Sequence, residues 1–326
     1  MRVLFWDGTC PTPYDLNKLN SSPMGGTEAT VVRIATALAS YGIEVTVKQH
    51  NRSKSDIQAK VNYEPTYLTL DKTYTHIVVL RDPMMLAFVK ERWPKAKTYL
   101  WLHDLAPVNF GITIPYMKDS TVVTVSNWHR EQVKERLLAS EYNGSFPLKT
   151  IYNPIDDDLT PNETPIDKNK LVFFSSPHKG LDYALFSFGR LREFLPDLRL
   201  YIANPGYFPS RETNDLGVVN YGSLSHTQIL NEVRSSFCVY YPNTVYPETF
   251  GLVFAEANAV GTPVFTHRHG AAREILGDEI QPADLRETKK LIERFLSWYN
   301  GTRPIIKANP KFRVSEVIKE WIQMLK

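Results

Sequence analysis

Two glutamates with seven residues between them, Glu248 and Glu256, bracket a change of periodicity in the stretch Pro247-Glu248-Thr249-Phe250-Gly251-Leu252-Val253-Phe254-Ala255-Glu256-Ala257. Ahead of them, Phe237 to Tyr241 is a short apolar run of buried-strand type that ends in the loop Pro242 to Pro247. Thr249 then reads as the N-cap of a helix closed by Gly261, with Pro263 just beyond. A helix so placed turns the amides of Phe250, Gly251 and Leu252 toward the space past the strand's carboxyl end, and Gly251 lets an anion approach the backbone. Glu248 would lie in the loop beside that anion, and Glu256 about two turns further along. One carboxylate would grip sugar hydroxyls and the other a ribose. A bare pair of glutamates at this spacing is more often incidental to an amphipathic helix; the longer string P-E-T-F-G-L-x-x-x-E-A-x-A-x-G-T-P-V argues otherwise.

Three other places carry residues suited to phosphate and sugar chemistry. Ser175-Ser176-Pro177-His178-Lys179-Gly180 follows a buried strand and precedes a helix, the position of a phosphate-binding turn in an α/β sheet. Lys179 supplies a point charge for a diphosphate, and Gly180 permits close backbone approach. Gly25-Gly26-Thr27-Glu28 lies between the first strand and first helix, where backbone amides can face a phosphate or an acceptor sugar; the plainer reading is a glycine turn with Thr27 as N-cap, and both can hold. Glu28 there suits the first helical turn better than catalysis. His103 ends the run Thr98 to Leu102 and precedes Asp104. Alone, such a histidine is usually a satisfied core or surface residue.

The string around Glu248 resembles the C-terminal signature of retaining glycosyltransferases of family 4, glycosyl transferases group 1. The Gly25-Gly26, Leu102-His103-Asp104 and Ser176 to Leu181 segments match at the expected places along nearly the whole chain. The resemblance implies an α/β chain of GT-B architecture: two Rossmann-like domains with parallel sheets facing a central cleft, and a C-terminal helix crossing back to the N-terminal domain. It implies a hexosyltransferase in which His103, Lys179 and Glu248 are catalytic. The donor would be bound by Gly25, Gly26, Ser176, Tyr221, Thr249, Phe250, Gly251, Leu252 and Glu256. In such enzymes the residue at Lys179 stabilises the leaving nucleoside diphosphate, and the histidine at His103 contacts the donor hexose. Transfer is front-face, with the departing phosphate accepting the acceptor's proton. Arg81 or Arg273 would add to the electrostatic stabilisation of the departing dianion. The implied partners are a UDP- or GDP-type sugar and a glycan, lipid-linked or small-molecule acceptor, with no cofactor and no metal.

Asp156-Asp157-Asp158 contains the D-x-D pattern that holds a divalent ion in the other large glycosyltransferase architecture, but it follows Asn153-Pro154 in a linker, where family 4 members carry an N-x-x-D turn. His267 and His269 would share one face of a strand, yet no cysteine or second histidine pair completes a tetrahedral set. The following Gly270 to Glu274 resembles the family's glycine turn and donor-side glutamate. A sugar-nucleotide epimerase of similar architecture would need no acceptor pocket, and the two-glutamate string argues against it. A catalytically silent sugar-nucleotide-binding module should lack a charged position, whereas Lys179, Glu248 and Glu256 are all present. Absence of a Gly-x-Gly-x-x-Gly turn leaves a nicotinamide enzyme poorly supported.

The net charge is +3 from 38 basic and 35 acidic residues, which gives no general affinity for polyanions and little support for transfer onto DNA bases. Only two cysteines occur, Cys10 and Cys238, so a disulfide framework is excluded and a reducing compartment is favoured. The N-terminus reads as a first strand rather than a signal peptide, and no apolar run approaches the roughly 18 residues of a spanning helix. A cytoplasmic protein is expected; peripheral membrane contact through an apolar or basic surface stays open, because it needs no spanning segment.

At 326 residues the chain accommodates two domains. Apolar strand-like runs alternate with helical patterns: Val3 to Trp6, a helix from about Thr27 to Ser40, Glu44 to Lys48, His76 to Leu80, Thr98 to Leu102, Thr121 to Val125, a helix capped at Ser126-Asn127, and Lys149 to Tyr152. Such alternation predicts a parallel sheet covered on both faces. The proline- and acid-rich stretch Asn153 to Lys168 reads as a linker. A second alternating half starts at Lys170, with strands near Arg199 to Ala203, Val218 to Tyr221 and Val264 to Thr266, and helices at Tyr183 to Phe194, Ser225 to Ser235 and about Asp284 to Asn300. The expected division is 1–155 for an acceptor-binding domain, 156–310 for a nucleotide-sugar-binding domain, and 311–326 for the returning helix.

Overall fold

The computed structural model describes residues 1–139, 147–204, 215–277 and 280–326. Two compact units emerge, Met1–Asn17 with Gly26–Pro154 and Lys311–Lys326, and Lys18–Gly25 with Ile155–Pro310. The short stretch Lys18–Gly25, which the sequence-based division places in the first half, groups with the second unit.

Among the described residues the first unit holds eight strands: β1 Arg2–Asp7, β2 Glu44–Gln49, β3 Asp56–Gln58, β4 Val61–Pro65, β5 His76–Leu80, β6 Lys97–Trp101, β7 Ser120–Thr124 and β8 Leu148–Thr150. Its helices are α1 Leu16–Ser21, which straddles the boundary, α2 Gly26–Ser40, α3 Met85–Arg92, α4 Ile114–Met117 and α5 Asn127–Leu138. The strands lie in the order β3-β4-β2-β1-β5-β6-β7-β8, parallel throughout except the β3–β4 pair. Leu4, Ile77, Val79, Leu100 and Val122 form the buried strand core, against which Leu86 and Val89 of α3 pack. Fully buried apolar strands of this kind are what a sheet covered on both faces requires.

The antiparallel β3–β4 hairpin is not foreseen by the parallel pattern. Its turn residues, Ala59 and Lys60, have φ of 45° and 66°. Positive φ at both central positions is the two-residue hairpin geometry usually signalled by Asn-Gly, and neither residue here announces it.

The C-terminal helix, Val314–Leu325, belongs to the first unit. It buries Val317, Ile318, Trp321 and Leu325, one apolar stripe at helical spacing. The Trp321 ring lies 4.5 Å from that of Trp101 and 5.9 Å from that of Phe5, so the last helix closes over the centre of the first sheet.

In the second unit the strands are β9 Asp167–Phe174, β10 Arg199–Asn204, β11 Val218–Ser223, β12 Ser236–Tyr241, β13 Val264–His267 and β14 Pro282–Ala283. They lie in the order β11-β10-β9-β12-β13-β14, and every pair is parallel. The helices are α6 Leu181–Arg192, α7 His226–Arg234, α8 Leu252–Ala259, α9 Ala272–Leu276 and α10 Thr288–Asn300. All six residues of β12 are buried, and Phe237, Tyr240 and Phe265 meet Phe295 of α10 in edge-to-face contacts. Among the described residues no helix is long and apolar enough to cross a membrane, and both cysteines are buried free thiols.

Candidate active site

The second sheet begins with β9 and grows outward on both sides of it, β10 to one side and β12 to the other. Past the carboxyl ends of two such neighbouring strands the connections diverge, which is where open parallel sheets bind ligands. The turn after β9 delivers Lys179, and the loop after β12 delivers Glu248. Lys179 Nζ donates to both Glu248 oxygens, at 3.0 and 2.9 Å. The Tyr241 hydroxyl, on the last residue of β12, donates to Glu248 Oε1 at 2.7 Å. Burial, and then the Glu248 carboxylate, pushes the Tyr241 phenol up, so it remains a donor. The Tyr246 ring lies 5.4 Å from the Lys179 ammonium, a cation–π contact, and meets His178 edge-on.

Backbone geometry holds this pair. Asn243 Oδ1 accepts from the amides of Val245 and Tyr246 at 2.9 and 3.0 Å and its side-chain amide donates to Tyr246 O, which folds the loop between Tyr241 and Glu248 into a fixed turn. On the other side, Ala271 N donates to Glu248 O at 2.9 Å. Gly270 has φ +62°, and a Cβ there would stand 2.6 Å from Glu248 O and 2.8 Å from Glu248 N. The glycine turn after β13 therefore presses on the main chain of Glu248.

The helix start differs from expectation. The N-cap of α8 is Gly251, at φ +82° and ψ 74°, not Thr249. A residue in the left-handed region cannot continue a right-handed helix, so the first turn is Leu252 to Phe254, and Phe254 N donates to Gly251 O at 2.9 Å. Of the amides of Phe250, Gly251 and Leu252, only that of Leu252 belongs to the helix. The expected close holds: Thr262 N donates to Ala257 O and Gly261 N to Asn258 O, the paired bonds of a glycine-terminated helix.

Glu256 is buried on α8, and its Oε1 accepts from His226 Nε2 at 2.8 Å. Ser176 is buried in the Lys179 turn, where its carbonyl accepts from Lys179 N at 2.9 Å. Tyr221 sits on β11, two strands from β9; its hydroxyl donates to Glu232 at 2.8 Å and its ring stacks on Tyr201 at 5.3 Å. Arg273 is exposed on α9.

His267 ends β13, and its Nδ1 accepts from Leu285 N at 3.0 Å, so that nitrogen serves the backbone. His269 lies beyond the strand with its ring 4.9 Å from that of His267, and burial pushes its imidazole down to about 4. Asp157 and Asp158 are exposed in a turn. Among the described residues no group of three or more His, Cys, Asp or Glu side chains is placed to hold a metal ion.

The first unit repeats the arrangement with different residues. β1 lies between β2 and β5, and the residues ending β1 and following β5 are Asp7 and Arg81. Arg81 Nη2 donates to Glu28 at 2.8 Å and to Asp7 at 3.3 Å, and Asp7 also accepts from the Tyr14 hydroxyl at 2.9 Å. Glu28, in the first turn of α2 as expected, thus also completes an ion triad, and Arg81 is already matched to two carboxylates. Gly26, not Thr27, opens α2, with Gly25 buried just before it.

His103, two residues after β6, is buried with its ring 4.5 Å from that of Trp101. Burial, then the Arg81 guanidinium and His129, hold its imidazole well below the ordinary range, so it is neutral near pH 7. His129 is a residue sequence reasoning passed over. Its Nε2 faces Asp104 O at 3.0 Å and its Nδ1 faces Val125 N at 3.4 Å, the pattern of a neutral ring donating from Nε2 and accepting at Nδ1. Burial pushes it from 6.5 down to about 4. A folded value below the unfolded one means stability is complete above about pH 6.5 and is lost as pH falls toward about 4, by about 3 kcal/mol from this group. Urea unfolding at pH 7 and pH 4.5 should therefore show a smaller acid loss in His129→Asn than in wild type; equal losses would refute the assignment.

Residues 156–311 match the family model of glycosyl transferases group 1. The second unit is a group 1 glycosyltransferase domain. The Lys179–Glu248 pair, Glu256 and the Gly270 turn all lie inside this domain. Over its length the chain has the GT-B fold of solved glycosyltransferase structures. One is sucrose-phosphate synthase from Thermosynechococcus elongatus, with a TM-score of 0.69, 14% identity, and coverage of 99% of this chain and 94% of that one. A lipopolysaccharide outer core galactosyltransferase gives a TM-score of 0.64 at 11% identity, covering 99% and 98%. A glycosyltransferase involved in avilamycin A biosynthesis gives 0.62 at 14% identity, covering 99% and 96%. No curated protein matched the chain. Identities this low establish the fold alone, so the roles of individual residues rest on the geometry above.

Proposed function

We propose that the chain is a retaining, metal-independent glycosyltransferase of family 4 that moves a hexose from a UDP- or GDP-type sugar to a hydroxyl of a glycan, lipid-linked or small-molecule acceptor. The observation that carries this reading is the contact of the half-buried Lys179 with the buried Glu248 where the connections after β9 and β12 diverge, set in the group 1 domain. In the proposed reaction the acceptor oxygen forms a bond to the anomeric carbon while the bond to the diphosphate oxygen breaks on the same face. The diphosphate leaves with the electron pair and takes the acceptor's proton. Lys179 offsets the charge that develops on the leaving oxygens, the kind of electrostatic stabilisation that dominates transfer catalysis. Glu248, held by Tyr241 and the Gly270 turn, accepts from sugar hydroxyls, and Glu256 accepts from the ribose.

On this reading the second unit binds the donor and the first the acceptor. His103, kept neutral, is the first unit's candidate for contact with the transferred hexose. Arg81 is a weaker candidate for the departing phosphate, because Asp7 and Glu28 already balance it. The free thiols of Cys10 and Cys238 support a reducing, cytoplasmic setting.

The test is a panel of UDP-, GDP-, ADP- and dTDP-sugars read first by thermal shift and then by release of nucleoside diphosphate, each with and without EDTA. One donor class should raise the melting temperature, since a ligand that binds only the folded state stabilises it. Turnover should survive EDTA, and the product should keep the donor's anomeric configuration by NMR. Turnover abolished by chelation and restored by a divalent ion would overturn the metal-free reading; an inverted product would overturn the retaining one.

A further inference from the structure

The Glu256 side chain is not left to find its own orientation. It stands on α8 with its side chain only 7% exposed, and His226 Nε2 approaches Oε1 at 2.8 Å from the neighbouring helix α7. A carboxylate oxygen carries no proton at neutral pH, so Nε2 is the donor in this contact. His226 is itself held in place. It is the first residue of α7, behind the N-cap Ser225, whose hydroxyl accepts from Gln228 N while Gln228 Oε1 accepts from Ser225 N at 3.0 Å. This reciprocal cap fixes the backbone from which the imidazole projects. The placement at a helix N-terminus also disfavours a positive ring there, a cost that the facing carboxylate offsets.

We infer that His226 is a positioning residue for the donor nucleotide: it fixes the Glu256 carboxylate in the orientation that accepts hydrogen bonds from the vicinal hydroxyls of a ribose. The inference rests on the assignment of Glu256 to the ribose. A carboxylate has about four acceptor positions, so a bond from His226 is compatible with bonds from two hydroxyls. A glutamate loses considerable rotamer freedom when it is ordered, and a side chain ordered before the ligand arrives spares binding that loss. The two residues lie 30 positions apart in the sequence and share no motif, so the contact is visible only in the fold.

The experiment measures affinity of the full chain for UDP and 2′-deoxy-UDP, and for GDP and 2′-deoxy-GDP, by calorimetry. The variants are Glu256→Ala, His226→Phe and His226→Gln. Phenylalanine keeps the ring volume without the donor, whereas the glutamine amide can occupy the place of Nε2. Wild type should prefer the ribo form of its cognate base, and Glu256→Ala should bring the ribo-to-deoxy ratio close to one. His226→Phe should lower that ratio at least threefold, and His226→Gln should recover most of it. A merely structural role would lower the melting temperature without moving the ratio. If Glu256→Ala collapses the ratio and His226→Phe leaves it at the wild-type value, the role of His226 is overturned while the ribose assignment stands. If wild type shows no ribo preference, or Glu256→Ala retains it, the ribose assignment itself fails and this inference falls with it.

Discussion

Lys179→Ala is expected to lower transfer at least tenfold and by as much as about 10²–10³, the range found when one preorganised group facing developing negative charge is removed. Glu248→Ala should fall in the same range. The expectation follows from their contact at 2.9–3.0 Å where β9 and β12 diverge. The two variants should differ in another respect. Removing Lys179 leaves the Glu248 carboxylate with Tyr241 but without its cation, in a setting where its side chain is only 8% exposed. Leaving that buried carboxylate without its cation costs stability, so Lys179→Ala should unfold at lower urea than Lys179→Arg. Steady-state transfer measured beside urea unfolding separates the effects: a variant that is folded and still turns over at near the wild-type rate would remove Lys179 from the site.

The second large effect is expected from a residue with no functional group. Gly270→Ala puts a methyl carbon 2.6 Å from Glu248 O and 2.8 Å from Glu248 N, and it does so at φ +62°. Backbone atoms cannot yield as a flexible side chain can, so the glycine turn and the Glu248 segment must separate. The strain is worth about 1–3 kcal/mol, and the Ala271 N to Glu248 O bond should be lost with it. Transfer should fall nearly as far as in Glu248→Ala, with the chain still folded. By contrast, Gly42→Ala should leave transfer unchanged, because a Cβ at that positive-φ glycine meets nothing within 4 Å. Wild-type transfer in a folded Gly270→Ala variant would show that this turn does not set the position of Glu248.

What the sequence disclosed and what it hid follow from the distance over which each feature is encoded. Central strands such as β5 and β12 show as apolar runs because every residue in them is buried, whereas the mostly exposed β3 carries no such run. The Lys179 turn is legible because strand, turn and helix are consecutive. Gly261 closes α8 as its place after the apolar periodicity predicts. Failures arise where local chemistry is overridden or where partners are remote. Thr249 is a good capping residue, but Gly251 two positions later takes a left-handed conformation and moves the helix start. Ala59 and Lys60 form a hairpin turn without the residues that usually mark one. Glu28 pairs with Arg81 from 53 positions away, and Glu256 with His226 from 30. No periodicity in one sequence encodes such contacts, since each joins residues on separate elements that only the tertiary fold makes neighbours.

The contact between Lys179 and Glu248 also bears on selectivity among the many anions of a living cell. A lone ammonium at the mouth of a sheet would attract inorganic phosphate, nucleotides and phosphorylated metabolites alike. Here the carboxylate acts as a tethered competitor, present at high effective concentration and never diffusing away. A small anion offers the lysine little that Glu248 does not already give. A ligand displaces or shares that partner only by bringing additional contacts, as a sugar diphosphate would through its hydroxyls and nucleoside. On the proposed donor-binding reading, the resident ion pair would set a threshold that favours the complete donor over its fragments.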